Sequence, residues 1–179
     1  KISKPIIWTL HDNWPFSSIE HYIKVNDNRY RSGYNNKNSS KLEKFLWKKK
    51  LNIFKNKISI VIAPSKWMED LAKESLIFKN KKIFYVPYPL NLKTFFPENT
   101  FKARKKLRLE FLEKNTKIIS FGATSAFSEK RKGYDFIRRS IKKLNLEREN
   151  VHFIIFGEKS GDLNKYSNIT NYGEINNES

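Results

Sequence analysis

The chain has 179 residues, with 36 Lys and Arg against 18 Asp and Glu for a formal net charge of +18, and no Cys. Apolar residues make up 39% and aromatics 15%, enough to fill a core and exclude a disordered chain, while the absence of Cys excludes a disulfide framework or a thiolate metal site. The longest apolar run, Ile58–Ala63, is broken by Ser59 and falls far short of the roughly 20 residues a membrane-spanning helix needs.

The chain opens at Lys1 almost directly on a strand-like run and ends in a loop-like stretch, Asn176–Ser179. Both ends read as cut, so an internal piece of a longer protein is expected. Pro5–Leu10 is a short apolar run closed by a polar turn, the pattern of a buried strand. His11–Asn38 has no sustained period and predicts a long irregular segment, a feature that in compact domains usually serves function. Ser40-Lys41-Leu42-Glu43 fits a capping box. The helix it opens is expected to hold Leu42, Phe45, Leu46 and Ile53 on one side and Lys48–Lys50 on the other. Ile58–Ala63 predicts a second strand. A helix follows with Ser65 as N-cap and Met68, Ala72 and Leu76 at a spacing of four. Lys82–Val86 predicts a third strand.

Pro87-Tyr88-Pro89 and Thr94-Phe95-Phe96-Pro97 bracket a stretch without period, a domain-boundary signal. Beyond it come a basic helix around Phe101–Leu109, a strand over Thr116–Phe121 ending in Gly122, a helix over Gly133–Leu144, and a strand over Val151–Phe156 ending in Gly157. Strands alternating with helices point to an α/β chain with parallel sheets.

The positive charge falls in three clusters, Lys41–Lys57, Lys102–Arg108 and Lys130–Arg148. Lys, Asn and Ile are abundant together, as on solvated surfaces with a biased composition. No RNA-binding aromatic signature, zinc-finger spacing or basic zipper accompanies the charge, which disfavours nucleic acid as a partner. An anionic membrane surface is the better candidate, with Lys41–Lys57 as the contact.

Ser120–Gly133 is the most informative segment. A strand ends in Gly122, a loop of small residues follows, and Arg131-Lys132-Gly133 stands at the mouth of a helix. Glycine lets a backbone approach a phosphate, and the N–H groups of a helix N-terminus favour an anion. Neither GxxxxGK[ST] nor GxGxxG is present, so the alternative of a solvated basic loop stays open. His11-Asp12 follows the first strand and lies at a carboxyl end too, where parallel sheets bind ligands. His11 there suits a sugar hydroxyl or proton transfer, or merely a turn. His21 gains nothing from its neighbours in sequence, and His152, inside an apolar strand, reads as structural. No metal site is expected, because the carboxylates never form Asp-x-Asp and the three His lack ligand spacing. Ser65 lacks a GxSxG frame and is explained as a cap.

Several of these segments resemble one family. Residues 5–16, PIIWTLHDNWPF, are similar to the "TLHDxWPF" stretch of a branch of the family 4 glycosyltransferases. Ala63-Pro64-Ser65-Lys66-Trp67 with Ala72-Lys73-Glu74-Ser75 resembles their "PSkW…akeS" helix. Val86-Pro87 through Phe96-Pro97 resembles their interdomain connector, and Phe121-Gly122-Ala123 with Arg131-Lys132-Gly133 their donor-phosphate loop.

The resemblance implies a GT-B architecture, with parts of two Rossmann-like domains facing a cleft: residues 1–88 from the acceptor-side domain, 89–100 as connector, and 101–179 from the nucleotide-sugar donor domain. It implies a retaining, metal-independent transfer of a sugar from a nucleotide-sugar to a glycan or lipid-linked acceptor in surface polysaccharide or lipopolysaccharide synthesis. The enzyme would be cytoplasmic, or peripheral to the inner membrane face, and need no cofactor. Carried across, His11 contacts the donor sugar, Arg131 and Lys132 stabilise the leaving diphosphate, Gly122 and Gly133 permit close backbone approach, and Gly157 lies near the nucleotide. Three features depart from the family. Ser17-Ser18-Ile19-Glu20 replaces its Gly-Gly-Cys, Tyr88 replaces the connector Asn, and its pair of glutamates eight apart is not within these residues. The expected chain alone is therefore inactive. The rival readings are a basic, non-catalytic α/β module for nucleic acid and a degenerate transferase remnant.

Overall fold

The computed structural model describes residues 4–125, 127–146, 150–159, 163 and 165–175. Ala126 of the basic loop, Arg148 of the third cluster and Asn176–Ser179 lie outside them. The chain is α/β and divides into two compact units, Lys1–Leu90 and Asn91–Ser179. Each is built on a small three-stranded parallel sheet.

In the first unit the sheet order is β1 (Ile6–Thr9), β2 (Ile58–Ala63), β3 (Lys82–Tyr85). The most apolar run, β2, takes the centre, where a parallel strand is covered on both faces. The segment between β1 and β2 holds a one-turn 3-10 helix (Trp14–Phe16), α1 (Arg29–Ser32) and α2 (Lys41–Lys57). Helix α3 (Lys66–Glu74) joins β2 to β3. Both expected caps are present: the Ser40 hydroxyl accepts from the Glu43 N–H while Glu43 accepts from the Ser40 N–H, and the Ser65 hydroxyl accepts from the Met68 N–H at 3.1 Å.

The irregular stretch after β1 is tightly packed. Phe16, Tyr30 and Tyr34 are buried in it and join Trp47 and Phe78 in an aromatic core. Arg29 organises its polar side, reaching Asp27 at 2.7 Å and Glu20 and Glu43 at 2.6 Å each, with its guanidinium 4.6 Å from the Tyr34 ring centroid.

Helix α2 departs from the sequence expectation at Lys50, which turns inward although Lys48 and Lys49 stay exposed. Trp47 and Lys50 are buried, whereas Leu42, Phe45 and Ile53 are exposed. The reason is tertiary. The Lys50 ammonium donates to the carbonyls of Trp14, at 2.7 Å, and of Ser18, at 2.5 Å, so the chain after β1 supplies acceptors that a periodicity count does not register.

In the second unit, α4 (Thr100–Lys106) precedes a sheet of order β4 (Lys117–Gly122), β5 (Val151–Phe156), β6 (Ile169–Gly173), with α5 (Tyr134–Leu146) between β4 and β5. Strand β5, apolar apart from His152, again takes the centre, with Val151 to Ile155 all buried. Ile141 is buried against it, and Tyr134, Ile137 and Leu144 pack alongside. Strand β6 is legible only in the structure, since ITNYG carries one strongly apolar residue. His152 is structural: it is buried, its Nε2 lies 2.8 Å from the Thr170 hydroxyl, and burial pushes its pKa down.

Candidate functional site

The residues singled out in the sequence gather at the carboxyl ends of the two sheets, one set in each unit. In the first unit, β1 runs out through Leu10, whose N–H donates to Ile62 in β2, and delivers His11 and Asp12 to the sheet edge. His11 Nδ1 is 2.7 Å from the Tyr88 hydroxyl, and the rings stack at 5.6 Å with planes 6° apart. Tyr88 arrives from beyond β3, so the His11 ring is braced by residues that follow the two outer strands. Tyr88 therefore has a local role: it holds the imidazole.

Asp12 carries a second histidine that sequence reasoning set aside. One carboxylate oxygen accepts from the Trp14 N–H at 2.9 Å, and the other lies 2.5 Å from His21 Nδ1. A nitrogen that close to a carboxylate holds its proton toward it, so Nδ1 donates to Asp12 and Nε2 faces away. The His21 backbone is also fixed, since its carbonyl accepts from the Asn13 N–H at 2.9 Å. His21 itself is exposed, with 62% of its side chain accessible. The pairing spans nine residues and one turn of 3-10 helix, and only the reversal of the chain through Trp14–Phe16 brings it about. The signal in the sequence was the dense Trp-Pro-Phe turn between the two residues.

In the second unit, Gly122 ends β4 and Gly157 follows β5. A Cβ on Gly122 would fall 2.1 Å from the Phe156 ring, and one on Gly157 would fall 2.7 Å from the Ala123 carbonyl oxygen. Gly157 also has φ +95°, a conformation that favours glycine. The Gly157 N–H donates to the Gly173 carbonyl at 2.6 Å. These glycines thus let the three strand ends close up as a compact backbone edge.

The loop after β4 is tied to the same edge, because the Phe127 N–H donates to Glu158 at 3.2 Å. The loop ends in a one-turn 3-10 helix, Lys130–Lys132, closed by Gly133 at φ +80°. The Gly133 carbonyl accepts the first helical bonds of α5, from Phe136 and Ile137, so Arg131 and Lys132 stand immediately before the N-terminus of that helix. Arg131 is ion-paired with Glu129, also on the loop. Three cations against one carboxylate make the loop positive, and an incoming anion would compete with Glu129 for Arg131. Among the described residues no cluster of His, Asp and Glu is arranged to hold a metal ion, and no helix is long and apolar enough to cross a membrane.

No protein-family model matches the chain, and no curated protein matches it.

Proposed function

We propose that this chain belongs to a retaining glycosyltransferase of GT-B type, which moves a sugar from a nucleotide-sugar to a glycan or lipid-linked acceptor. The observation that carries the reading is the edge of the second sheet. Gly157 brings its backbone against that of Ala123 there, the Phe156 ring lies over Gly122, and Arg131, Lys132 and Gly133 lead into α5 from the loop bound to that edge. Backbone N–H groups at a helix start, with two cations beside them, suit a diphosphate. A leaving diphosphate gains charge in the transition state, and cations already in place stabilise it without reorganisation. In this reading Gly133 supplies the left-handed turn that starts the helix beneath the phosphates.

Calorimetric titration with UDP-, GDP- and ADP-sugars at about 0.15 M salt, a Debye length of about 8 Å, tests the proposal. Binding that falls at least ten-fold in Arg131→Ala plus Lys132→Ala supports it. Oligonucleotide binding with a steep salt slope, and no response to any nucleotide-sugar, would instead identify a basic nucleic-acid module.

A further inference from the structure

The outward face of α2 is apolar and basic at once. Leu42, Phe45 and Ile53 are 58%, 62% and 45% exposed, although the opposite face of the same helix already packs Trp47, Leu51 and Phe54 against the core. Lys41, Lys48 and Lys55 are all exposed and stand seven residues apart, which at 3.6 residues per turn sets them in one row beside the apolar three. Lys49 lies over the Phe45 ring, 5.8 Å from its centroid. The helix has one acidic residue, Glu43, and it turns inward to Arg29 at 2.6 Å. No carboxylate therefore offsets the lysines on the outward face of this helix.

We infer that this face of α2 docks on an anionic lipid surface, with Leu42, Phe45 and Ile53 entering the headgroup–acyl boundary and Lys41, Lys48 and Lys55 meeting lipid phosphates. Charge complementarity selects the occupant. A nucleic acid would engage the lysines but leave Leu42 and Ile53 in water. A second copy of this face would oppose lysine with lysine. An interfacial helix has the combination seen here, large apolar side chains between long cationic ones whose stems lie along the boundary. The inference goes beyond simple electrostatic attraction of the Lys41–Lys57 segment, because it names the residues that insert. It stands independently of the transferase reading.

The test is co-sedimentation of the full chain with vesicles of phosphatidylserine in phosphatidylcholine, against pure phosphatidylcholine. The wild type is expected to bind the anionic vesicles and to lose that binding at 1 M salt, where the Debye length is about 3 Å. Replacing Lys41, Lys48 and Lys55 by Gln should lower partitioning about 100-fold, at roughly five-fold for each lysine. Replacing Leu42, Phe45 and Ile53 by Ser should lower it at least ten-fold without moving the unfolding midpoint. A single Phe45→Trp variant should show quenching by bromine-labelled acyl chains beyond that of the wild type. Equal binding to neutral and anionic vesicles would overturn the inference. So would full binding by the triple Ser variant, binding without extra quenching at position 45, or self-association through α2 with no affinity for vesicles.

Discussion

The Lys50 ammonium lies 3.5 Å from the centroid of the Trp14 ring and donates to the Trp14 carbonyl at 2.7 Å. It also donates to Ser18 at 2.5 Å and reaches Ser17 at 3.4 Å. One buried cation thus closes the turn that follows His11 and Asp12, and clamps it to α2. The contact joins the Ser40 cap, the Arg29–Glu43 pair and buried Trp47 in holding that helix.

Lys50→Met should destabilise the chain by about 2–4 kcal/mol, because it leaves buried carbonyls without donors and removes a cation from an aromatic face. Urea unfolding followed by circular dichroism measures the loss, and a change below about 0.5 kcal/mol would show that the clamp is dispensable.

The same lysine predicts a pH dependence. Burial pulls its pKa down from 10.5 to about 8. Between those values the unfolded chain holds a proton that the folded chain has released, so stability rises with pH across that window. Below about pH 8 both states are protonated and the burial penalty stands in full. The urea midpoint of the wild type should therefore climb between pH 8 and 10, while that of Lys50→Met stays level. The window ends where tyrosines begin to ionise in the unfolded chain, since burial pushes the Tyr34 phenol up in the folded one.

Acid should act through Arg29. Its hydrogen bonds hold the Asp27 carboxyl below the ordinary carboxylate range, and the Ser40 N–H, followed by Arg29, does the same for Glu43. Both groups contribute stability that is complete above their unfolded values and is lost as pH falls through their folded ones. Arg29→Met, which strands three carboxylates, should cost about 3 kcal/mol at neutral pH. It should also reduce the loss of stability on going from pH 5 to pH 3, because Asp27 loses its main gain from ionising and Glu43 keeps only that from the Ser40 N–H. A variant as acid-sensitive as the wild type would separate Arg29 from the effect.

Two glycines at the second sheet's edge should respond unequally. Gly157→Ala puts a Cβ against the Ala123 backbone at a φ that disfavours it, and should cost at least about 2 kcal/mol. Gly122→Ala meets the Phe156 ring instead. That side chain is partly exposed and can swing aside, so the cost should be smaller and should shrink further in a Phe156→Leu background. Equal costs in a double-mutant cycle would show that Phe156 does not move.

The Asp12–His21 contact predicts a tautomer. Nitrogen chemical shifts should place the His21 proton on Nδ1 in the wild type, and Asp12→Asn should shift the ring toward the Nε2-protonated form. A wild-type His21 without a proton on Nδ1 would rule the pairing out in solution.

Much of the secondary structure was legible because it is written in local chemistry. The capping box at Ser40, the cap at Ser65 and the apolar runs at Ile58–Ala63 and Val151–Phe156 depend on neighbours within four residues, and they appear where periodicity and capping rules put them. The strand order was not read from the sequence: only the structure shows that the two most apolar runs take the centres of their sheets. The glycines at 122, 133 and 157 could also be marked in advance, because strand ends and helix starts are where backbone must turn or approach closely. What the sequence could not determine was which distant partner each polar side chain would meet. Lys50 faces inward because carbonyls more than thirty residues away converge on it. His21 meets Asp12, and His11 meets Tyr88, because chain reversal and a three-stranded sheet bring their segments together. Buried charge and paired histidines are decided by the partners that folding supplies, and those partners have no periodicity to read.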